Sequence, residues 1–249
     1  MTIDPIVVQG AISVPLAFAL ALYALARQDR SRLHLFSAGV ILSLGLWIVA
    51  LMLRRISSSP VVGQISLHLE HVTTTVMAPL FLVMMGHFAR HPSFERSHAA
   101  TLAFSAIFAL FFLAFATNDW HHLMVVDPAA ALADEHPAKW AGPLYWGLQF
   151  WIFVADLLGL ALCLWASRRG RTPDERRRPL LVVGALVLPI LAHVVYLGGW
   201  LPIHYTLAPG SVSISLLLFM RGIHRHGLFE SQPIVRQDLI EHLPDGLVL

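Results

Sequence analysis

The stretch LFSAGVILSLGLWIVALML, Leu35 to Leu53, runs without one charged group and stops at Arg54-Arg55. A membrane strand would alternate apolar and polar positions over about 10 residues, and this run is apolar on every side. About 20 such residues in a helix cross the hydrocarbon of a bilayer, and a helix satisfies its own backbone donors and acceptors there. Six further segments pass the same test, at 5–26, 65–89, 99–117, 143–166, 179–199 and 203–221. The expected fold class is an all-α membrane protein, a seven-transmembrane helix bundle. The first segment does not read as a cleaved signal peptide, because Asp4 stands where a positive n-region belongs.

Composition agrees. Of 249 residues, 57% are hydrophobic and 13% charged, with a mean hydropathy of +0.68, where a soluble domain carries about 25% charged residues. That balance excludes a disordered chain, a nucleic-acid binder and an ordinary soluble enzyme. The net charge of +2 is too small to describe a polyanion partner. Cys163 is the one cysteine, so neither an intramolecular disulfide nor a cysteine-based zinc site can form.

Cytoplasmic loops of membrane proteins carry the excess of Lys and Arg. Thirteen arginines fall on one side of the seven spans, in the loops at 27–34, 90–98 and 167–178 and at the exit of the last span. Arg54, Arg55 and Lys139 fall on the other. The count places the N-terminus outside and the C-terminus in the cytoplasm, with Arg54-Arg55 dissenting. The longest loop, Asn118–Gly142, is then extracytoplasmic, and its Ala-rich middle (Pro128–Pro137) suits a short interfacial helix. No internal repeat of the kind common in transporters is evident.

Two units are expected, a seven-helix sensor domain at 1–226 and a cytoplasmic segment at 227–249. In the second, Pro233 suits a helix start. Ile234, Val235, Leu239, Ile240 and Leu243 form a stripe near helical period, and Pro244-Asp-Gly246 reads as a turn. A lone strand cannot stand, so the apolar Leu-Val-Leu249 that follows is expected to open a cytoplasmic domain continuing beyond this chain.

Several patterns in order carry a resemblance. They are Leu69-Glu-His71 with Ala78-Pro-Leu80, Asn118-Asp-Trp-His-His-Leu123, Gly142-Pro-Leu-Tyr-Trp146, Val195-Tyr-Leu-Gly198, and the tail from Pro233 through Ile240-Glu-His-Leu-Pro-Asp-Gly246. The set resembles the N-terminal seven-transmembrane sensor region of bacterial membrane histidine kinases and diguanylate cyclases, its tail similar to the entry into a PAS domain. The resemblance implies an input module of a two-component system in the bacterial cytoplasmic (inner) membrane, without catalysis of its own. It implies a signal passed through the seventh span to cytoplasmic domains, a homodimer, and a response regulator reached only through those domains.

Ionisable groups inside spans are costly and mark function by default. The outer half of the bundle is expected to hold a ligand site built from Glu70, His71 and His193, with His121, His122 and His204 nearby. His68 and His71, at i and i+3, share a helix face, and imidazoles are favoured ligands of zinc and copper. The sharp reading is thus a transition-metal site of His68, His71 and His193; the alternatives are another small ligand in the same pocket, or polar packing between helices. Glu70 lies about 100° around the helix from His71 and would orient a ligand or bind separately. Asp156 is deeper and is expected to be protonated or paired, with the threonines at 73–75 as partners. Asp156 and the pair Pro209-Gly210, which interrupts the last span, are the expected transmission elements.

Rival functions fare worse. A retinal photoreceptor needs a Schiff-base lysine inside a helix, and the one lysine, Lys139, sits in an outer loop. A zinc protease would need His-Glu-x-x-His, which His68-Leu-Glu-His71 is not. The histidines for a di-metal oxygenase are split between the two sides. The remaining alternative is a small polytopic transporter, or a metal- or haem-binding membrane protein, using Glu70, His71, Asp156 and His193.

Overall fold

The computed structural model describes residues 4–26, 32–95, 98–133, 136–170, 172–200 and 206–226. The expected segment 227–249 and His204 lie outside the described residues. Among the described residues there are ten α-helices: α1 (Pro5–Ala26), α2 (Arg32–Ile56), α3 (Pro60–Phe88), α4 (Pro92–Glu95), α5 (Ala99–Ala116), α6 (Asn118–His121), α7 (Pro128–Leu132), α8 (Pro143–Arg169), α9 (Pro173–Leu197) and α10 (Ala208–His226). Pro137–Lys139 adds one 3-10 turn. Among the described residues there is no strand, only an isolated bridge between Val125 and Ala141. Five helices (α1, α2, α3, α8 and most of α9) are long and apolar enough to cross a membrane by length and composition, and Thr101–Ala116 is a shorter apolar helix. With α10 they make the seven expected spans.

Helix starts follow local chemistry. Ser59 precedes Pro60, which fills the first helical position of α3, where its missing N–H costs nothing. Thr172 and Glu175 form a reciprocal capping box at the start of α9, with Pro173 at the first position. That start draws Arg176, Arg177 and Arg178 into the helix. Thr206 Oγ1 accepts the Ala208 N–H at 3.1 Å and opens α10.

Six helices close a ring, in which α1 packs on α2, α2 on α3, α3 on α8, α8 on α9, α9 on α10, and α10 back on α1. Helix α5 stands outside the ring, against α3 and the edge of α8. Close approach of α3 and α8 depends on Gly159, where a Cβ would meet the Phe81 ring at 2.6 Å. Two buried clusters share the interior. One joins all six ring helices around Ala17, Ile48, Met85 and Leu216. The other joins α3, α5, α8 and the outer loop around Leu82, Phe108, Met124 and Leu148.

The outer loop, outer by the arginine count, is tied into a knot by Asn118. Its Oδ1 accepts from Met124 N at 2.9 Å and Val125 N at 3.0 Å, and its Nδ2 donates to Val125 O at 3.0 Å. Gly142 N donates to Met124 O, Leu144 N to Leu123 O and Val126 N to Trp140 O. A Cβ at Gly142 would stand 2.1 Å from Leu123 O, so the strand-like crossing there requires glycine. His136 Nε2 meets Tyr196 O at 2.7 Å and pins the loop to the end of α9.

Candidate functional site

The ring encloses a cavity of about 230 Å³ that runs from the outer loop deep along α10. Pro137 and Trp140 roof it; Trp47, Leu51, Met77, Phe81, Leu148 and Ile152 form much of its apolar wall. Every ring helix contributes a side chain and α5 contributes none. From α10, Ala208, Val212, Ser215, Leu216 and Phe219 face it, a spacing that marks one helical face.

Polar groups gather at the outer end. Arg54 Nη1 and Glu70 Oε2 are 3.2 Å apart, with side-chain exposures of 6% and 22%, and both line the cavity. Arg54 also reaches Ala131 O of the loop at 3.5 Å. Arg55 Nε lies 3.8 Å from Asp4 Oδ2. The two arginines that dissent from the orientation count each face a carboxylate, which explains how they tolerate the outer end. Glu70 thus faces the cavity as the partner of a cation.

His71 is 5% exposed and borders the cavity. Its Nδ1 meets Leu67 O at 2.8 Å, while its Nε2 is buried without a hydrogen-bond partner. Its ring stacks on Phe115 at 4.1 Å and lies 6.3 Å from Trp140 and 6.1 Å from Tyr145. His193, also on the cavity wall, meets Gln149 Oε1 through Nε2 at 2.9 Å. Because a carbonyl oxygen only accepts, Nε2 of His193 carries the donated proton. Gln149 lies one turn from Tyr145 on α8, so α8 stands between the two histidines.

Three sequence expectations are corrected by this geometry. First, His68, His71 and His193 do not converge on a metal. His68 is exposed, engages Gln64 O through Nδ1 at 2.7 Å and meets Phe115 edge-on at 5.1 Å. Among the described residues no three His, Cys, Asp or Glu groups gather to hold an ion. Sharing a helix face made His68 and His71 neighbours, but the neighbouring helix at that face, α5, supplies phenylalanine.

Second, His121 and His122 build the loop instead of lining the cavity. His121 accepts the Leu123 N–H at Nδ1 (2.9 Å) and meets Thr117 Oγ1 through Nε2 at 3.2 Å. His122 is exposed and ends α6 in the left-handed region at φ 52°. Third, Pro209-Gly210 does not interrupt the last span. Pro209 falls in the first turn of α10, where proline is tolerated, and its carbonyl accepts Ser13 Oγ of α1 at 2.7 Å. Gly210 N donates to Gln9 Oε1 at 3.0 Å, and Ser13 Oγ also meets Ser213 Oγ. The expected pivot is a clamp to α1. Pro79 and Pro189, by contrast, do lie inside α3 and α9.

Asp156 lines the cavity without the expected threonine partners. Thr73, Thr74 and Thr75 return their hydroxyls to carbonyls of their own helix, at Leu69, Glu70 and His71. Sequence reasoning missed Arg54, Tyr145, Gln149 and Trp140 as cavity groups. Gln149 and Arg54 carried a usable signal, being polar side chains inside or at the end of apolar spans.

A family model described as the N-terminal 7TM region of histidine kinase matches residues 11–233. Neither a curated protein nor a solved structure matches the chain.

Proposed function

The chain belongs to the family of N-terminal seven-transmembrane regions of histidine kinases, and on that premise we propose that it is the sensory input module of such a protein, detecting a small ligand in its cavity and transmitting through α10. As a member it is a multi-pass membrane protein. The observation that carries the proposal is that one face of α10 lines the cavity from Ala208 to Phe219. The helix that leads toward the C-terminus is therefore itself a wall of the ligand space.

A ligand shifts a two-state element only by its differential affinity for the two arrangements. Occupancy beside Val212, Ser215 and Leu216 changes what α10 packs against, and that change arrives at Arg221 on the arginine-rich side. The cytoplasmic membrane as its location, a homodimeric assembly and a response regulator downstream all follow from the same reading. Nothing in the geometry favours the transporter alternative, and among the described residues no three His, Cys, Asp or Glu groups gather to serve the metal-binding one.

The test joins residues 1–226 to a histidine-kinase catalytic core and measures autophosphorylation in membranes, with and without extracytoplasmic extracts. Ser215→Phe, which fills the cavity, is expected to hold output in one state while leaving expression unchanged. Output indifferent to both the seven-helix region and Ser215→Phe would overturn the reading.

A further inference from the structure

We propose that the outer end of the cavity binds an electrically neutral, apolar small molecule bearing one hydrogen-bond-donating hydroxyl, a phenol or an aliphatic alcohol, with that hydroxyl on Nε2 of His71. The inference deepens the sensory reading above and takes its biological meaning from it.

The carbonyl of Leu67 can only accept, so in the neutral ring Nδ1 carries the proton and Nε2 presents a lone pair. That lone pair is buried and unpartnered, and a buried polar atom without a partner is costly to leave so. The ring cannot swing to find one, because its face lies on Phe115 and the Trp140 and Tyr145 rings flank it. A ligand donor therefore completes a bond that the protein leaves open.

Charge decides the rest of the ligand. The Arg54 cation and Glu70 carboxylate neutralise each other at 3.2 Å, so an ion of either sign finds no uncompensated partner at this end. Asp156 lies eleven residues along α8 from Tyr145, about 16 Å away, outside the reach of a group held at His71. A metal ion on Nε2 would need further donors, and among the described residues no set of three gathers. Below His71 the walls Trp47, Leu51, Met77, Leu148 and Ile152 suit a hydrocarbon or aryl body. Thr74 and Gln149 also line the cavity, but Thr74 Oγ1 donates to Glu70 O and Gln149 Oε1 accepts from His193.

The test uses the purified chain in lipid nanodiscs, with 4-bromophenol as the probe and quenching of tryptophan emission as the readout. Trp140 and Trp47 both border the cavity. Expected is a saturable phase above the linear quenching due to bilayer partition. 4-Bromoanisole, the same body without the donor, and 4-bromobenzoate, its anion, should each bind about tenfold or more weaker, the scale of one lost hydrogen bond to a buried acceptor. His71→Phe should erase the difference between bromophenol and bromoanisole, and His68→Ala should preserve it. Equal binding of the phenol and the anisole, preference for the benzoate, or no saturable phase with any probe overturns the proposal. The phenol–anisole comparison on the unaltered chain decides even where His71→Phe does not fold. Saturable phenol binding that leaves the output of the kinase fusion unchanged would instead count against the sensory reading and spare the site.

Discussion

Arg54 on α2 and Glu70 on α3 form an ion pair at 3.2 Å inside the outer end of the bundle, with the arginine side chain only 6% exposed. The three-residue connection Ser57–Ser59 makes these two helices run antiparallel, and Arg54, in the last turn of α2, reaches along α3 to Glu70 in its third turn. A buried pair is weak evidence for net stability, but removing one partner strands the other charge. The relation couples the chemistry of the cavity to the integrity of the fold.

Arg54→Leu or Glu70→Leu alone should therefore destabilise the bundle by about 3–5 kcal/mol, while Arg54→Leu with Glu70→Leu should recover most of the loss. Reversible unfolding in mixed micelles measures the cycle. Additive losses in the double variant would show that the two side chains act independently.

Topology follows the arginine count. A reporter inserted after Arg171 should read cytoplasmic, and one inserted at Ala129–Ala133 should read extracytoplasmic. Reversal of both would turn the bundle over, and would put the roof of the cavity on the cytoplasmic side.

Asn118 makes three hydrogen bonds that hold the loop over the cavity. Asn118→Ala leaves the Met124 and Val125 amides without that partner, at about 1–3 kcal/mol for a buried group. Hydrogen exchange should accelerate at residues 124–126 and 140–144 while α2 and α3 stay protected. Unchanged exchange there would remove Asn118 as the loop's organiser.

The clamp between α1 and α10 makes a contrast in signalling. Ser13→Ala removes the donor to Pro209 O and the contact with Ser213, and it should change kinase output in the fusion more than Pro209→Ala does. Proline in a first helical turn is readily replaced. A larger effect of Pro209→Ala at equal expression would restore it as a pivot.

Gly159→Leu should disrupt the α3–α8 contact, since even a Cβ there meets Phe81 at 2.6 Å. Overpacking of this kind costs about 1–3 kcal/mol or more. Gly184, with nothing within 4 Å of its Cβ position, should accept alanine without loss of thermal stability.

The seven spans were legible because the bilayer imposes a length and an apolarity that a linear string displays directly. Residues 5–26 match α1 end to end, and 99–117 and 143–166 begin where α5 and α8 begin. The string also showed that Glu70, His71, Asp156 and His193 are polar groups at bilayer depth, all of which border the cavity. It could not show which helix each one faces. That is set by a ring order in which α3 meets α8 while α5 is left outside, and helix order depends on side-chain packing between segments distant in sequence. So His68 and His71, three residues apart, separate into an exposed ring and a cavity ring. Arg54 and Glu70, sixteen apart, become one ion pair. The Asn118 motif, a likeness in sequence, becomes a loop knot. Periodicity and hydropathy are properties of one helix and its solvent; a binding site belongs to the space between helices, and only the assembled bundle has that space.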